Sequence, residues 1–312
     1  MPRRLPVEKV IELIEKRDVR GLSKGVSMIE DGGEDRNTLL KHAKSRISSP
    51  ALSIGFTGPG GVGKSTLINS VIKKLREFDK HVGVIAVDPT SPYTGGAVLG
   101  DRIRMFEHSN DDKVFIRSLS TQDAMGGICE AAKHALNLYK AFDFDVILLE
   151  TIGVGQDEVD VSIYADITLV VFAPGFGDIM QACKAGIMEI ADIFVVNKAD
   201  RPGADALQEY LHNILQFSNG NHRPEIVKTV AESGEGIDQL IAALSRLAKF
   251  PRQSPEEKQR RRVSDEIRSF ALAEVNRFIN SRLNEMAEPV INGDLSSQEA
   301  SEILLKQLFK AQ

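Results

Sequence analysis

Between Ala51 and about Phe250 the chain alternates short, nearly continuous apolar runs with stretches whose apolar residues recur every three or four positions. The runs are "LSIGFTG", "VGVIAVD", "VFIRSL", "DVILLET", "ITLVVFA", "IFVVNKA" and "EIVKTVA", each bounded by Gly, Asp or Pro. Runs that lack apolar/polar alternation suit strands buried on both faces, as in a parallel sheet. Strands alternating with helices imply right-handed crossovers, and place ligands at the carboxyl ends of the strands. The expected fold is therefore α/β, with a mostly parallel sheet flanked by helices.

Both flanks read as helical. Val7, Val10, Ile11 and Ile14, then Val26, Ile29, Leu39, Leu40, Ala43 and Ile47, keep helical spacing on either side of an expected turn, "EDGGEDRN". Beyond Phe250, "PRQSPEEKQRRRV" reads as a polar, charge-dense hinge. A helix follows with Ile267, Phe270, Val275, Phe278, Ile279 and Leu283 in apolar positions, and a last short helix begins after Ser296 or Ser297. The expected division is a helical N-terminal extension over residues 1–50, a nucleotide-binding domain over 51–250 and a helical arm over 251–312. The arm has too little chain to enclose a core of its own. It is expected to pack on a second copy as a homodimer, the alternative being that it folds back on its own domain.

Composition narrows the class. A formal net charge of −5 and a pI near 5.8 argue against a nucleic-acid partner. The two cysteines, Cys129 and Cys183, form no C-x-x-C pair and fit a reducing compartment. Glutamates break the basic start "MPRRLPVEKVIELIEK", and no apolar run approaches a membrane span, so a cytoplasmic protein with no membrane partner is expected.

The candidate chemistry sits where strands end. "GPGGVGKS" carries Gly58-x-x-x-x-Gly63-Lys64-Ser65 after one strand and before a helix, the spacing of a phosphate loop. Gly58, Gly60, Gly61, Val62, Gly63, Lys64, Ser65 and Thr66 are the expected phosphate contacts. The glycines admit backbone N–H groups to the phosphates, Lys64 supplies positive charge, and the Ser65 hydroxyl is a Mg²⁺ ligand. Asn197-Lys198-x-Asp200 follows a later strand. A carboxylate there accepts the N1–H and N2–H₂ of guanine, a donor pair that adenine lacks, which favours GTP and GDP over ATP. Ala231, in "TVAESGEG", is placed to offer its N–H to guanine O6. Asp88, Asp101 and Glu150 are candidate carboxylates for Mg²⁺. Arg104 fits an arginine finger and a surface arginine equally. Gln156, in "ETIGVGQ", could orient the attacking water or be an ordinary exposed loop glutamine.

Together "GFTGPGGVGKST", "AVDPTSPYTGGAVLGDRIRM", "ETIGVGQ", "APGFGDIMQACKAGI" and "NKAD" resemble the MeaB/ArgK-like P-loop GTPases of the SIMIBI class, in order from Ala51 to about Gly236. The resemblance implies a GTP-hydrolysing chaperone of an adenosylcobalamin-dependent acyl-CoA mutase, typically methylmalonyl-CoA mutase, that gates cofactor loading and protects the mutase. It implies Mg²⁺ and catalytic roles for Asp88, Asp101 and Glu150, and a partner-responsive switch at Asp178, Gln181 and Lys184. The chain departs from the family in reading "GDIMQ" where an acidic residue and a leucine usually follow the aspartate. It also has Val230 where a serine is usual. Two other readings stand beside this one. Delivery of nickel by a GTPase usually needs clustered His or Cys, and the six histidines are scattered. A transport-linked small-molecule kinase usually needs ATP, against which Asn197-Lys198-x-Asp200 argues.

Overall fold

The computed structural model describes residues 5–47, 51–88, 106–108, 110–120, 129–151, 160–175, 187–217, 223–250 and 254–310. All seven apolar runs form strands: β1 (Leu52–Thr57), β2 (Val82–Asp88), β3 (Val114–Ser120), β4 (Val146–Glu150), β5 (Ile167–Phe172), β6 (Ile193–Val196) and β7 (Glu225–Lys228). They make one sheet in the order β3-β2-β4-β1-β5-β6-β7. Every neighbouring pair is parallel. Every residue of β2, β4, β5 and β6 is buried, whereas the edge strands β3 and β7 are only partly so. Continuous apolar runs thus mark interior strands, because a parallel sheet needs cover on both faces.

The described helices are α1 (Val7–Glu15), α2 (Val19–Asp31), α3 (Glu34–Arg46), α4 (Lys64–Glu77), α5 (Glu130–Phe142), α6 (Val161–Tyr164), α7 (Ile187–Ile190), α8 (Ala204–Phe217), α9 (Ile237–Lys249), α10 (Pro255–Asn280), α11 (Leu283–Ile291) and α12 (Ser297–Lys310). The pleat of β4 shows how the layers divide. Ile147 and Leu149 enter a core with Leu22, Val26, Leu39 and Leu138 from α2, α3 and α5. Val146 and Leu148 enter a second core with Leu67, Val71, Leu240 and Leu244 from α4 and α9. Alternate side chains of one strand serve opposite faces. A third cluster joins Phe172 and Phe194 to Leu207 and Leu211 of α8.

The N-terminal helices depart in detail from the expected pattern. The chain breaks between α1 and α2, where the Asp18 carboxylate accepts the Arg20 N–H at 2.9 Å and caps α2. Most of the expected turn "EDGGEDRN" is helical, with Gly32 and Gly33 alone separating α2 from α3. Acidic residues Glu34 and Asp35 fill the first turn of α3, where the helix dipole favours them. These helices are continuous with the sheet's core. Arg117 on β3 donates to Glu30 of α2 at 2.5 Å, and Arg17 pairs with Asp143.

Residues Met1–Arg252 form one compact unit and Gln253–Gln312 a second. In the second, the stretch read as a hinge is helical from Pro255. Its charges belong to a helix start: Ser254 and Glu257 form a capping box, with Glu257 N–H on Ser254 Oγ at 3.1 Å and Pro255 in the first turn. Ser296 and Glu299 repeat the arrangement at α12, whose Ala300 and Leu304 are buried. Helix α11 was not expected from the pattern, and it carries Pro289 in its interior. Among the described residues, no helix is long and apolar enough to cross a membrane.

Leu39 is fully buried in the core shared by helices and sheet. Leu39→Ala is expected to destabilise the protein by about 2–5 kcal/mol. In denaturant unfolding followed by circular dichroism, the loss should shift one cooperative transition of residues 1–252, with no early step for α1–α3.

Candidate nucleotide-binding site

Strand β1 delivers the chain at Thr57 into the loop 58–63, and α4 begins at Lys64. Two glycines make this turn possible. Gly58 has φ +133, and a Cβ there would stand 2.2 Å from the Val171 carbonyl oxygen on the neighbouring strand. Gly63 has φ +95 and would place a Cβ 2.5 Å from Asn197 Nδ2. Gly60 faces open space, and Val62 is fully buried and anchors the loop from beneath. The Lys64 ammonium donates to the carbonyls of Gly58 at 2.8 Å and Pro59 at 3.1 Å. The loop's cation is therefore held over the loop itself, at the positive end of α4.

The carboxylates converge by register. Glu150 closes β4 opposite Phe56 of β1 and Ala86 of β2, so Asp88 lies two residues past the same level on the adjacent strand. Both are buried, at 2% exposure for Asp88 and 3% for Glu150. Ser65 Oγ donates to Glu150 Oε1 at 2.7 Å. Ser65, Asp88 and Glu150 thus form a set of hard oxygen donors beside the phosphate loop, the kind Mg²⁺ takes together with phosphate and water.

Asn197 follows β6, its N–H donating to the Phe172 carbonyl at 2.8 Å. Its side chain uses both ends. Nδ2 donates to the Val62 carbonyl at 2.9 Å, while Oδ1 accepts from Thr229 Oγ1 and from the Ala231 N–H, each at 3.1 Å. The Ala231 N–H expected to face guanine O6 is directed at Asn197 in this structure. Lys198, at φ +55, donates from Nζ to the Gly61 carbonyl at 2.7 Å. An open pocket lies between these segments, lined by Gly63, Thr66, Asn197, Asp200, Val230 and Ala231 among others. Val230, lacking a side-chain hydroxyl, ties the loop through its backbone, its N–H reaching the Glu235 carbonyl at 2.9 Å.

Several residues of this site carry no sequence motif. Arg201 and Glu232 also line the pocket, and Thr229 is buried behind it. Ser70 Oγ donates to the Ala231 carbonyl at 2.5 Å. Lys74, one turn further along α4, contacts Asp238 of α9 and Glu77, each at 2.7 Å. Hydrogen bonds to those carboxylates, Asp238 first, push the Lys74 ammonium up to about 12. The spacing Thr66, Ser70, Lys74 is the one available signal, since residues four apart share a helix face. Asp101, Arg104, Gln156, Asp178, Gln181 and Lys184 lie outside the described residues.

Residues 22–286 match the profile of the family described as methylmalonyl-CoA mutase-associated GTPase MeaB. A protein of Pyrococcus horikoshii, provisionally named a GTPase, is 40% identical over 97% of this chain and 98% of its own. The GTPase ArgK of Escherichia coli K12 is 30% identical over 88% of each chain. A solved structure described as LAO/AO transport system kinase covers 99% of both chains with a TM-score of 0.68 at 21% identity, a likeness of fold. With a family profile that spans the phosphate loop and the Asn197–Asp200 turn, and relatives covered along most of their length, the chain belongs to the MeaB family of P-loop GTPases, enzymes that hydrolyse GTP.

Proposed function

We propose that this GTPase acts on an adenosylcobalamin-dependent acyl-CoA mutase of the methylmalonyl-CoA mutase type, gating loading of the cobalamin cofactor and protecting the mutase from inactivation. The observation that carries the reading is the match of residues 22–286 to a family described by its association with that mutase. The site supports the nucleotide half of the proposal. In it, the phosphate loop takes the β- and γ-phosphates on backbone N–H groups, and the Lys64 ammonium exchanges its loop carbonyls for phosphate oxygens. The Asp200 carboxylate takes the donor edge of guanine.

The donor set of Ser65, Asp88 and Glu150 fits Mg²⁺, and Asp101 is proposed to join it. When bound, the ion neutralises negative charge on the β- and γ-phosphates. Glu150 keeps the Ser65 hydroxyl oriented through its 2.7 Å hydrogen bond. Water attacks the γ-phosphorus in line and the bond to the β–γ bridging oxygen breaks, with little covalent work for the protein beyond positioning. Gln156 is assigned to orient that water and Arg104 to offset charge on the γ-phosphoryl group. Asp178, Gln181 and Lys184 are assigned to carry the nucleotide state to the mutase.

The C-terminal helices are assigned to homodimerisation. Val263, Ile267 and Phe270 recur at helical spacing on α10 and are 41%, 64% and 51% exposed, which supports an apolar seam needing cover.

The partnership is tested by GTP turnover of the purified protein with and without a cobalamin-dependent acyl-CoA mutase from the same source. Acceleration is expected; unchanged turnover with tight GTP binding would remove the mutase and leave the GTPase. Asp200→Asn is expected to lower GTP affinity roughly 100-fold or more by removing two charge-assisted hydrogen bonds. The new amide should match xanthine, so competition titrations should show xanthosine triphosphate gaining at GTP's expense. Light scattering is expected to give twice the 34.2 kDa chain mass, and a 34.2 kDa species would end the dimer assignment.

A further inference from the structure

Ser70 sits in the middle of α4, where a serine hydroxyl ordinarily bonds back to the carbonyl four residues earlier. Instead it reaches across to the loop after β7 and donates to the Ala231 carbonyl at 2.5 Å. On the other side of the same residue, the Ala231 N–H donates to Asn197 Oδ1 at 3.1 Å. Ala231 is therefore held on both sides of its Cα, by the phosphate-loop helix and by the turn after β6. Asn197 in turn donates to the Val62 carbonyl at 2.9 Å, and the loop from Val62 runs directly into α4. The hydrogen bonds close a ring: Ser70, Ala231, Asn197, Val62 and back to Ser70 along the chain. That ring encircles the junction between the phosphate loop and the pocket lined by Asp200 and Ala231.

We propose that Ser70 is a positioning residue for the guanine base, fixing the 229–236 loop against the phosphate-loop helix so that base and phosphates are engaged in one register. The proposal rests on reading the Asp200–Ala231 pocket as the guanine subsite. The loop has its own internal ties, with Val230 N–H on the Glu235 carbonyl and Gly234 N–H on the Val230 carbonyl, each at 2.9 Å. It keeps its shape without Ser70. What the hydroxyl adds is the placement of that shape relative to α4. The Lys74–Asp238 contact, one turn further along the helix, acts on α9 and leaves Ala231 itself to Ser70. Base recognition depends on that placement to within fractions of an ångström, because a donor or acceptor moved out of range leaves a desolvated polar group without its bond.

The test compares wild type with Ser70→Ala and Ser70→Thr, measuring GDP and ADP dissociation constants, inhibition by inorganic tripolyphosphate, and kcat and KM for GTP. Alanine raises helix propensity at a half-buried position, so the variant is expected to fold with a thermal midpoint near that of wild type. Ser70→Ala should weaken GDP binding and raise KM for GTP roughly threefold to tenfold, the loss of one hydrogen bond. Its kcat and tripolyphosphate inhibition should stay at wild-type values, since the phosphates are gripped elsewhere. Ser70→Thr, which keeps the hydroxyl, should bind GDP as wild type does. GDP binding unchanged in Ser70→Ala, or an equal loss for GDP and tripolyphosphate, would overturn the proposal. Wild-type protein binding ADP as tightly as GDP would instead overturn the guanine subsite itself, and the role of Ser70 with it.

Discussion

The amide of Asn197 is the point against which the nucleotide site is placed. It is 1% exposed, and its oxygen and nitrogen both reach segments that are distant in sequence. A buried amide has two donors and two acceptor positions to satisfy, so its geometry constrains every partner at once. Val62 can sit only where Nδ2 points, and Thr229 and Ala231 only where Oδ1 does. The requirement for glycine at 63 follows from the same amide, because a side chain there would meet it at 2.5 Å. One group thus determines the distance between the loop 58–63 and the segment 229–231.

The sheet makes that arrangement affordable in conformational terms. Strands β1, β4, β5 and β6 end near one level, with Phe56 beside Glu150 and Phe172 beside Val196. The residues that follow emerge together: the phosphate loop after β1, Thr151 after β4, Asn197 after β6. Each stands on a strand buried on both faces, so little movement of the base is available to it. The helices that cover the faces are unequal in role. Helices α1–α3 close one core, whereas α4 closes another and also holds the 229–236 loop through Ser70.

Much of this was legible in the residues. Seven apolar runs announced seven strands, since a parallel sheet leaves no polar alternation to hide them. The two nucleotide motifs announced their own positions because they require a strand before and a turn after. The failures have physical causes too. The break at Asp18 carries no Gly or Pro, and is made by a side-chain cap that looks like any surface aspartate. The charged stretch after Phe250 resembled a hinge because Ser254, Pro255 and Glu257 read as polar residues until they are seen to start a helix. Ser70 was hard to read for a different reason. Its four-residue spacing with Thr66 and Lys74 marks a shared helix face, but nothing in it names a partner that lies 161 residues away.

The lysine of the phosphate loop rests on the carbonyls of Gly58 and Pro59, which bears on how the loop holds its shape. Lys64 is 7% exposed, and a charge so enclosed would be costly to strand when an anion departs. The loop supplies two oxygens of its own, at 2.8 and 3.1 Å, so the ammonium is paired within its own turn. A loop that pairs its own cation keeps its curvature for an electrostatic reason, because straightening it would strip the ammonium of both carbonyls at once.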